Sequence, residues 1–249
     1  MNLEQLKNYN IFKEELLSLE LLKNQGFNNI SYLLKTTNKS YVVRVFKSNE
    51  SVNISREFEY KIQKKAYKIA IASKPIFLND KFMIYEYQKG IHKTKLSKIE
   101  LKNLVLKIKK FHNFKIKDKP YDLKLDLKNY SEKLTTKKSS KLINKCFKSI
   151  KIIEKHKYEA VLTHHDLNPK NIIFSKNSIK IIDWEYAGVN DRFFDLASLC
   201  IEFKLNKKEE KIVLNSYFKT KKDYHKIKLK HYKIIYDSFC KLWFEANPF

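Results

Sequence analysis

Two consecutive stretches, LTHHDLNPKNIIF at 162–174 and SKNSIKIIDWE at 175–185, constrain this chain more than any others. Together they read His164-x-Asp166, four residues, Asn171, a short apolar strand, a KNS turn at 176–178, a second apolar strand and Asp183. Pro169 stiffens the loop that precedes the first strand. Such a loop and hairpin aim Asp166, Asn171 and Asp183 into one space. Two carboxylates and an amide oxygen are hard oxygen ligands of the kind Mg²⁺ takes. Asp, Asn and Pro also make turns that carry no chemistry, and a lone H-x-D means little. The specificity lies in the whole pattern.

Phosphoryl transfer needs Mg²⁺ on the phosphates and a residue that positions the attacking hydroxyl. In that chemistry Asn171 and Asp183 hold the metal and Asp166 faces the acceptor hydroxyl. A zinc reading of His164, His165 and Asp166 fits less well, because adjacent residues of an extended chain point to opposite sides. His164 is expected to brace the loop backbone, and His165 to be a position free to vary.

The chain has 249 residues, enough for a sizeable core and one or two domains. No run of 18 apolar residues is present, so no membrane insertion is expected. The N-terminal pattern lacks the features of a signal peptide. Cys146, Cys200 and Cys240 are far apart and odd in number, without disulfide or zinc spacing, so cytoplasm is the expected compartment. The net charge is +25, yet only Arg44, Arg56 and Arg192 among the 52 basic residues are arginines. The lysines are spread along the whole chain. A nucleic-acid surface normally clusters its charge and uses Arg for bidentate contacts, so nucleic acid is not expected as a partner. The positive field still favours anionic ligands such as nucleotides.

Residues 3–22 read as an amphipathic helix, with Leu3, Leu6, Phe12, Leu16 and Leu19 among its apolar positions. ISYLL and SYVVRVF, separated by TTNK, read as a hairpin, and 52–70 as a helix. KPIFLNDKFMIYEYQKG reads as two more strands around an Asn-Asp turn, ending at Gly90. SKIE at 97–100 is a capping-box signature before a helix. Further helical patterns cover 138–156, 191–204, 207–219 and 228–245. The expected class is α+β: a small antiparallel β-sheet lobe over 1–88 and a mainly helical lobe over 89–249, with a hinge near 85–90.

HHDLNPKN and IIDWEYAG resemble the catalytic core of the bilobal, protein-kinase-like small-molecule kinases, which include aminoglycoside phosphotransferases and choline/ethanolamine kinases. The continuation IDWEYAGVNDRFFDLASLCIE is similar to choline kinases, in particular bacterial kinases that supply phosphocholine for surface glycans. The resemblance covers most of the chain and is closest over 160–203. It implies that Asp166 is the catalytic Asp and that Asn171 and Asp183 are Mg²⁺ ligands. Glu185 is expected to assist a metal or a bound water. Asp195 is expected to tie the following helix to the catalytic loop; alternatively it is simply an acidic residue at a helix start. Arg192 is expected to support that segment, with a surface salt bridge as its alternative.

In the first lobe the resemblance implies a phosphate-covering loop from Gly26 through Phe27 to Ser31, with Asn28, Asn29 and Ser31 contacting the nucleotide. It departs from a Gly-rich loop in having one glycine. Arg44 stands where protein kinases carry Lys, and Glu59 is its expected helix-borne partner. Strand alternation equally allows Arg44 to face solvent. Glu86 and Tyr87 are expected to offer backbone groups to adenine, and Gly90 to let the chain pass between lobes.

The resemblance implies ATP as co-substrate and choline or a related amino alcohol as acceptor. Carboxylates and ring faces suit a quaternary ammonium, and Glu202 and Trp243 are the expected acceptor contacts. Tyr217, Tyr236 and Phe239 also lie in this region, although aromatics at helical spacing are more often core. Asn168 is a further acceptor candidate, or a turn residue before Pro169. Ethanolamine, aminoglycosides and thiamine are alternative acceptors. A non-catalytic nucleotide-binding protein is the alternative of a different class.

Overall fold

A computed structural model describes residues 1–23, 25–26, 28–47, 55–176, 178–220 and 222–247. Phe27 of the expected loop, positions 52–54 of the expected second helix and Asn177 of the KNS turn lie outside the described residues. The chain divides into two compact units. The first comprises Met1–His92 with Ile172–Tyr186, and the second Lys93–Asn171 with Ala187–Phe249. Against the expected division at 88/89, the first unit runs to His92 and also takes in the later hairpin.

The first unit is built on β1 (Leu16–Leu21), β2 (Asn29–Thr36), β3 (Ser40–Phe46), β4 (Pro75–Leu78) and β5 (Phe82–Glu86). These form one antiparallel sheet in the order β1-β2-β3-β5-β4. Short turns explain the pairing: TTNK joins β2 to β3, and Asn79 Oδ1 accepts from the backbone of Lys81 and Phe82 between β4 and β5. Successive residues of β3 serve opposite faces. Tyr41 and Val43 join Leu34, Phe82 and Ile84 in one apolar cluster, while Val42 joins Met83 and Tyr85 in another. Arg44 falls on the second face, and α2 (Arg56–Lys68) supplies its carboxylate partner.

The expected helix over 3–22 is not formed. Only α1 (Leu3–Lys7) is helical, capped by reciprocal bonds of Asn2 and Gln5, and Asn10 turns the chain away at φ 50°. Residues 16–21 are instead edge strand β1, paired with β2. Leucines at 16 and 19 fit a helical stripe, but hydrogen bonding to the open edge of β2 overrides so short a local preference.

The hairpin β7 (Ile172–Phe174) and β8 (Ile179–Ile181) joins this unit by three backbone bonds. Ile91 and Phe174 exchange two of them at 2.9 Å, and Ile181 N donates to Ile71 O at 2.8 Å. This explains Gly90: a Cβ there would lie 2.5 Å from Ile173 Cγ2 and 2.6 Å from Phe174 O. Glycine is needed for close approach to β7.

In the second unit, α3 (Lys98–His112) starts at Ser97 with the expected capping box to Glu100. α4 (Leu123–Lys133), α5 (Lys137–Ile153), α6 (Phe193–Glu202), α7 (Lys207–Tyr217) and α8 (Asp223–Ala246) complete the helices. A two-stranded ribbon, β6 (Ala160–Thr163) with β9 (Gly188–Asp191), runs antiparallel with Thr163 opposite Gly188. Neither α4 nor this ribbon was expected from the sequence. No helix among the described residues is long and apolar enough to cross a membrane.

Candidate active site

In the second unit, β6 ends at Thr163 and the chain turns at His165, whose φ is 68°. That left-handed conformation is unusual for a residue with a Cβ and is kept only where surroundings impose it. Asp195, fully buried in the first turn of α6, supplies the constraint. Its Oδ2 accepts from His164 N at 2.8 Å and its Oδ1 from His165 N at 2.9 Å. His112 Nε2 lies 3.0 Å from Oδ2, and His112 Nδ1 lies 2.7 Å from Tyr217 Oη. Burial alone would raise the Asp195 pKa, but the hydrogen bond and charge of His112 outweigh it and hold the carboxyl below its ordinary value. Burial lowers that of His112. The chain of donors is then consistent: Tyr217 O–H donates to His112 Nδ1, and Nε2–H donates to Asp195.

Asp166 follows, half-buried. Its backbone N–H donates to His164 Nδ1 at 3.3 Å. Asn168 Nδ2 donates to its Oδ1 at 2.9 Å, and Asn171 Nδ2 to its Oδ2 at 2.7 Å. Asn168 Oδ1 accepts from the backbone of Lys170 and Asn171, winding Pro169–Asn171 into one 3₁₀ turn. Asn168 therefore braces the loop and Asp166 together. Asn171 turns its amide nitrogen to Asp166, so its carbonyl oxygen is the end presented elsewhere.

Glu202 ends α6 and accepts from Tyr236 Oη at 3.0 Å. Burial, and then the nearby negative charge of Asp166, push its pKa up despite that bond. Tyr121 and Phe194 pack around His165, with ring centroids 5.1 and 4.8 Å from it. Tyr236 packs on Phe194 at 5.7 Å. Tyr121 Oη donates to Asp126, a carboxyl whose pKa burial raises. His165, expected to vary freely, thus sits in an aromatic cluster and is bonded through Nε2 to Thr163 and Asn190. Trp243 stands seven residues beyond Tyr236 on the same face of α8 and packs on Phe244. Tyr236 is a ring that reaches Glu202. Tyr121 and Asp126 escaped sequence reasoning; their only signal is a Tyr five residues before an Asp. Arg192 caps α6 without a side-chain cap bond, its Nε 3.7 Å from Glu159 and its guanidinium 5.6 Å from the Tyr217 ring centroid.

In the first unit, Arg44 is buried. Its Nη1 donates to Asp183 Oδ1 at 2.6 Å and its Nη2 to Glu59 Oε1. The solvent-facing alternative for this strand position is thereby excluded. Burial would lower the Arg44 pKa, but the carboxylates of Glu59 and Asp183 raise it, so the guanidinium stays charged. Arg44 Nε is buried without a hydrogen-bond partner among the described residues. Asp183 lies two residues past β8, at φ 64°.

Glu185, read from the resemblance as a metal helper, has other partners here. Asn28 donates to one oxygen at 3.0 Å, and Asn29 and Arg56 donate to the other at 3.0 and 2.9 Å. Burial pushes its carboxyl up, but the charge of Arg44 and these three donors hold it below the ordinary value. Asn28 and Asn29 are correspondingly turned to Glu185. Ser31 lies on β2 opposite Arg44, its backbone N–H held by Gln25 Oε1 at 2.7 Å. The Glu86 and Tyr87 N–H groups donate to the carbonyls of Lys74 and Ser40, and Glu86 pairs with Lys39. Of the backbone groups expected to face adenine, these two N–H donors are engaged within the protein.

Residues 22–229 match the model of the phosphotransferase enzyme family. A LicA homolog from Mycoplasma capricolum subsp. capricolum is 30% identical over 228 residues, covering 90% of this chain and 88% of that protein. Among solved structures, choline kinase LicA from Streptococcus pneumoniae superposes with a TM-score of 0.81 at 26% identity, over 98% of this chain and 90% of that one. LicA in complex with AMP gives 0.78 at 26% identity, over 98% and 88%. The fold is the expected kinase-like α+β fold, and the chain belongs to the phosphotransferase enzyme family.

Proposed function

We propose that this phosphotransferase moves the γ-phosphoryl group of ATP, with Mg²⁺, to the hydroxyl of choline. The observation that carries this reading is the surroundings of Asp166: two amide donors hold its carboxylate, and a carboxylate–tyrosine pair, half-buried Glu202 and buried Tyr236, stands close enough to feel its charge. A trimethylammonium head offers no hydrogen-bond donor, so carboxylates and ring faces are its partners. Likeness to a choline kinase at 26% identity over nearly the whole chain supports the same acceptor.

Asp166 accepts the acceptor's hydroxyl proton as the oxygen attacks phosphorus, while its oxygens stay fixed by Asn168 and Asn171. The Asn171 carbonyl oxygen and the Asp183 carboxylate are hard donors and fit Mg²⁺. When bound, the ion neutralises charge developing on the phosphates. Glu185 fits less well, since both of its oxygens are engaged. The charged, planar Arg44 guanidinium suits a phosphate oxygen. The bound AMP of the LicA relative supports a nucleotide here.

The test is ATP consumption by the purified protein over choline, ethanolamine, thiamine, aminoglycosides and simple sugars. Choline should give the highest kcat/KM. Turnover of another acceptor at least tenfold better would reassign the acceptor site, and no ATP- or Mg²⁺-dependent transfer to any of them would refute the reading.

A further inference from the structure

The reaction as described does not call for a second buried arginine, yet α2 begins with one. Arg56 Nη1 donates to Glu59 Oε2 at 3.1 Å and to Glu185 Oε2 at 2.9 Å, and Nη2 donates to Asn29 Oδ1 at 3.2 Å. Its guanidinium also lies 4.2 Å from the Phe46 ring centroid. A single planar fork thus joins α2, Asn29 at the start of β2 and the segment after Asp183. Lysine carries its charge at one point and has no such fork. This chain uses lysine throughout and arginine at three positions, two of which stand here.

The charges form an alternating ladder: Asp183, Arg44, Glu59, Arg56, Glu185. The four inner side chains are at most 10% exposed, whereas Asp183 is 32% exposed. Buried charges are tolerated when each is paired and hydrogen-bonded, and here each rung fixes the next. Glu59 gives one oxygen to each arginine, so Arg56 sets the tilt of the Glu59 carboxylate, and that carboxylate aims Arg44 at Asp183. Two guanidiniums face three carboxylates, which leaves the surplus negative charge at the exposed end.

We propose that Arg56 and Glu185 are a positioning pair: they lock Asn28 and Asn29, at the start of β2, to the Asp183 segment and hold Arg44 in its nucleotide-binding orientation. Glu185 does this by accepting protein donors, not by ligating metal. The pair's role rests on the nucleotide reading of the first unit. Arg56→Lys and Glu185→Gln should each weaken Mg-ADP binding in calorimetry by about tenfold or more and lower kcat. The double variant should lose less than the sum of the two singles, since they share the Arg56–Glu185 bond. The Mg²⁺ concentration for half-maximal turnover at saturating ATP, and the choline KM, should stay within about twofold of the parent. Undiminished Mg-ADP affinity in Arg56→Lys would overturn the pair. So would Glu185→Gln with intact nucleotide affinity and a Mg²⁺ requirement raised about tenfold, the signature of a lost metal ligand. If the buried variants do not fold, Asn28→Ala decides: it removes the bonds of Asn28 to Glu185 and Tyr186 while Asn29 keeps its own to Glu185, and should weaken Mg-ADP about fivefold; an unchanged affinity would refute the proposal. A parent protein that binds no Mg-ADP at all would remove the nucleotide reading itself, and this role with it.

Discussion

Asparagine at position 195 is nearly isosteric with aspartate, and it tests the anchor of the catalytic loop. Asp195 receives His164 N–H and His112 Nε2–H on one oxygen and His165 N–H on the other, at 2.8, 3.0 and 2.9 Å. An amide keeps one acceptor and puts an NH₂ in place of the second. His112 can adapt: with its proton on Nδ1, Nε2 accepts from the amide and Nδ1–H donates to Tyr217 Oη, 2.7 Å away. The backbone cannot adapt. Whichever way the amide is turned, one loop N–H faces an NH₂ in a fully buried site. Losing one charge-assisted bond and leaving its donor unsatisfied costs roughly 2–4 kcal/mol. At about 2–4 °C per kcal/mol for a chain of this length, Tm should fall by roughly 5–15 °C. The turn at His165 is held by this anchor and Asp166 is the next residue, so kcat should also fall about tenfold or more. Affinity for ADP without Mg²⁺, which the proposed reading assigns to the first unit, should not change. Tyr217→Phe should cost little alone but deepen the loss in Asp195→Asn by more than its own cost, because it removes the partner His112 needs after its proton shifts. Differential scanning calorimetry with steady-state kinetics decides the matter. A Tm and kcat equal to the parent's would refute the anchoring argument, and an additive double variant would refute the tautomer shift.

Asp183→Ala should abolish turnover in a folded protein, and Asn171→Ala should raise the Mg²⁺ requirement; parental activity at limiting Mg²⁺ would exclude these residues as ligands. Arg44→Lys keeps the charge but cannot reach Glu59 and Asp183 in one plane, so Mg-ADP should bind about tenfold more weakly; unchanged affinity in equilibrium titration would count against the clamp. Tyr236→Ala should raise the choline KM by roughly tenfold or more through loss of a ring face and of the Glu202 bond, with a smaller effect from Trp243→Ala; the reverse order would return the acceptor contact to Trp243. His112 and Asp195 both have native pKa values below their unfolded ones. The unfolded chain therefore takes up protons that the native state refuses, first below about pH 6.5 at His112 and then through the carboxylate range at Asp195. Stability should fall as pH drops, by at most about 1.4 kcal/mol per pH unit per group; a Tm that stays flat from pH 7 to pH 4 would contradict this.

Much of this was legible because local chemistry and tertiary structure agree. The β2–β3 and β4–β5 turns, the Ser97 cap and the strand pair flanking the KNS turn each carry their own short-range signal. Asp166 and Asn171 could be read together because a 3₁₀ turn brings residues five apart into contact. What was illegible depends on partners far away in the chain. β1 looked helical until the open edge of β2 is considered. Asp195 could be named, but the histidine 83 residues earlier that completes its bonding could not. Trp243 and Tyr236 share a helix face, and nothing in their spacing says that Tyr236 bonds Glu202.

Glu185 shows how the same limit misleads. Two residues after Asp183, it reads naturally as a second acidic ligand. The reading fails to anticipate that its oxygens are claimed by Asn28, Asn29 and Arg56, from 129 to 157 residues away. The better signal was compositional. A chain that writes nearly every basic residue as lysine has little reason to place arginine at 44 and 56 unless the fork geometry is needed. Both positions turn out to be buried and to bond two carboxylates each. Substituting lysine at each in turn separates geometry from charge, because net charge is unchanged in both variants. If the argument holds, neither lysine variant keeps the parental nucleotide affinity, whereas Arg192→Lys, whose Nε stands 3.7 Å from Glu159 outside the ladder, does. Parental affinity in all three would mean that charge alone holds the ladder together, and that the rarity of arginine carried no structural information.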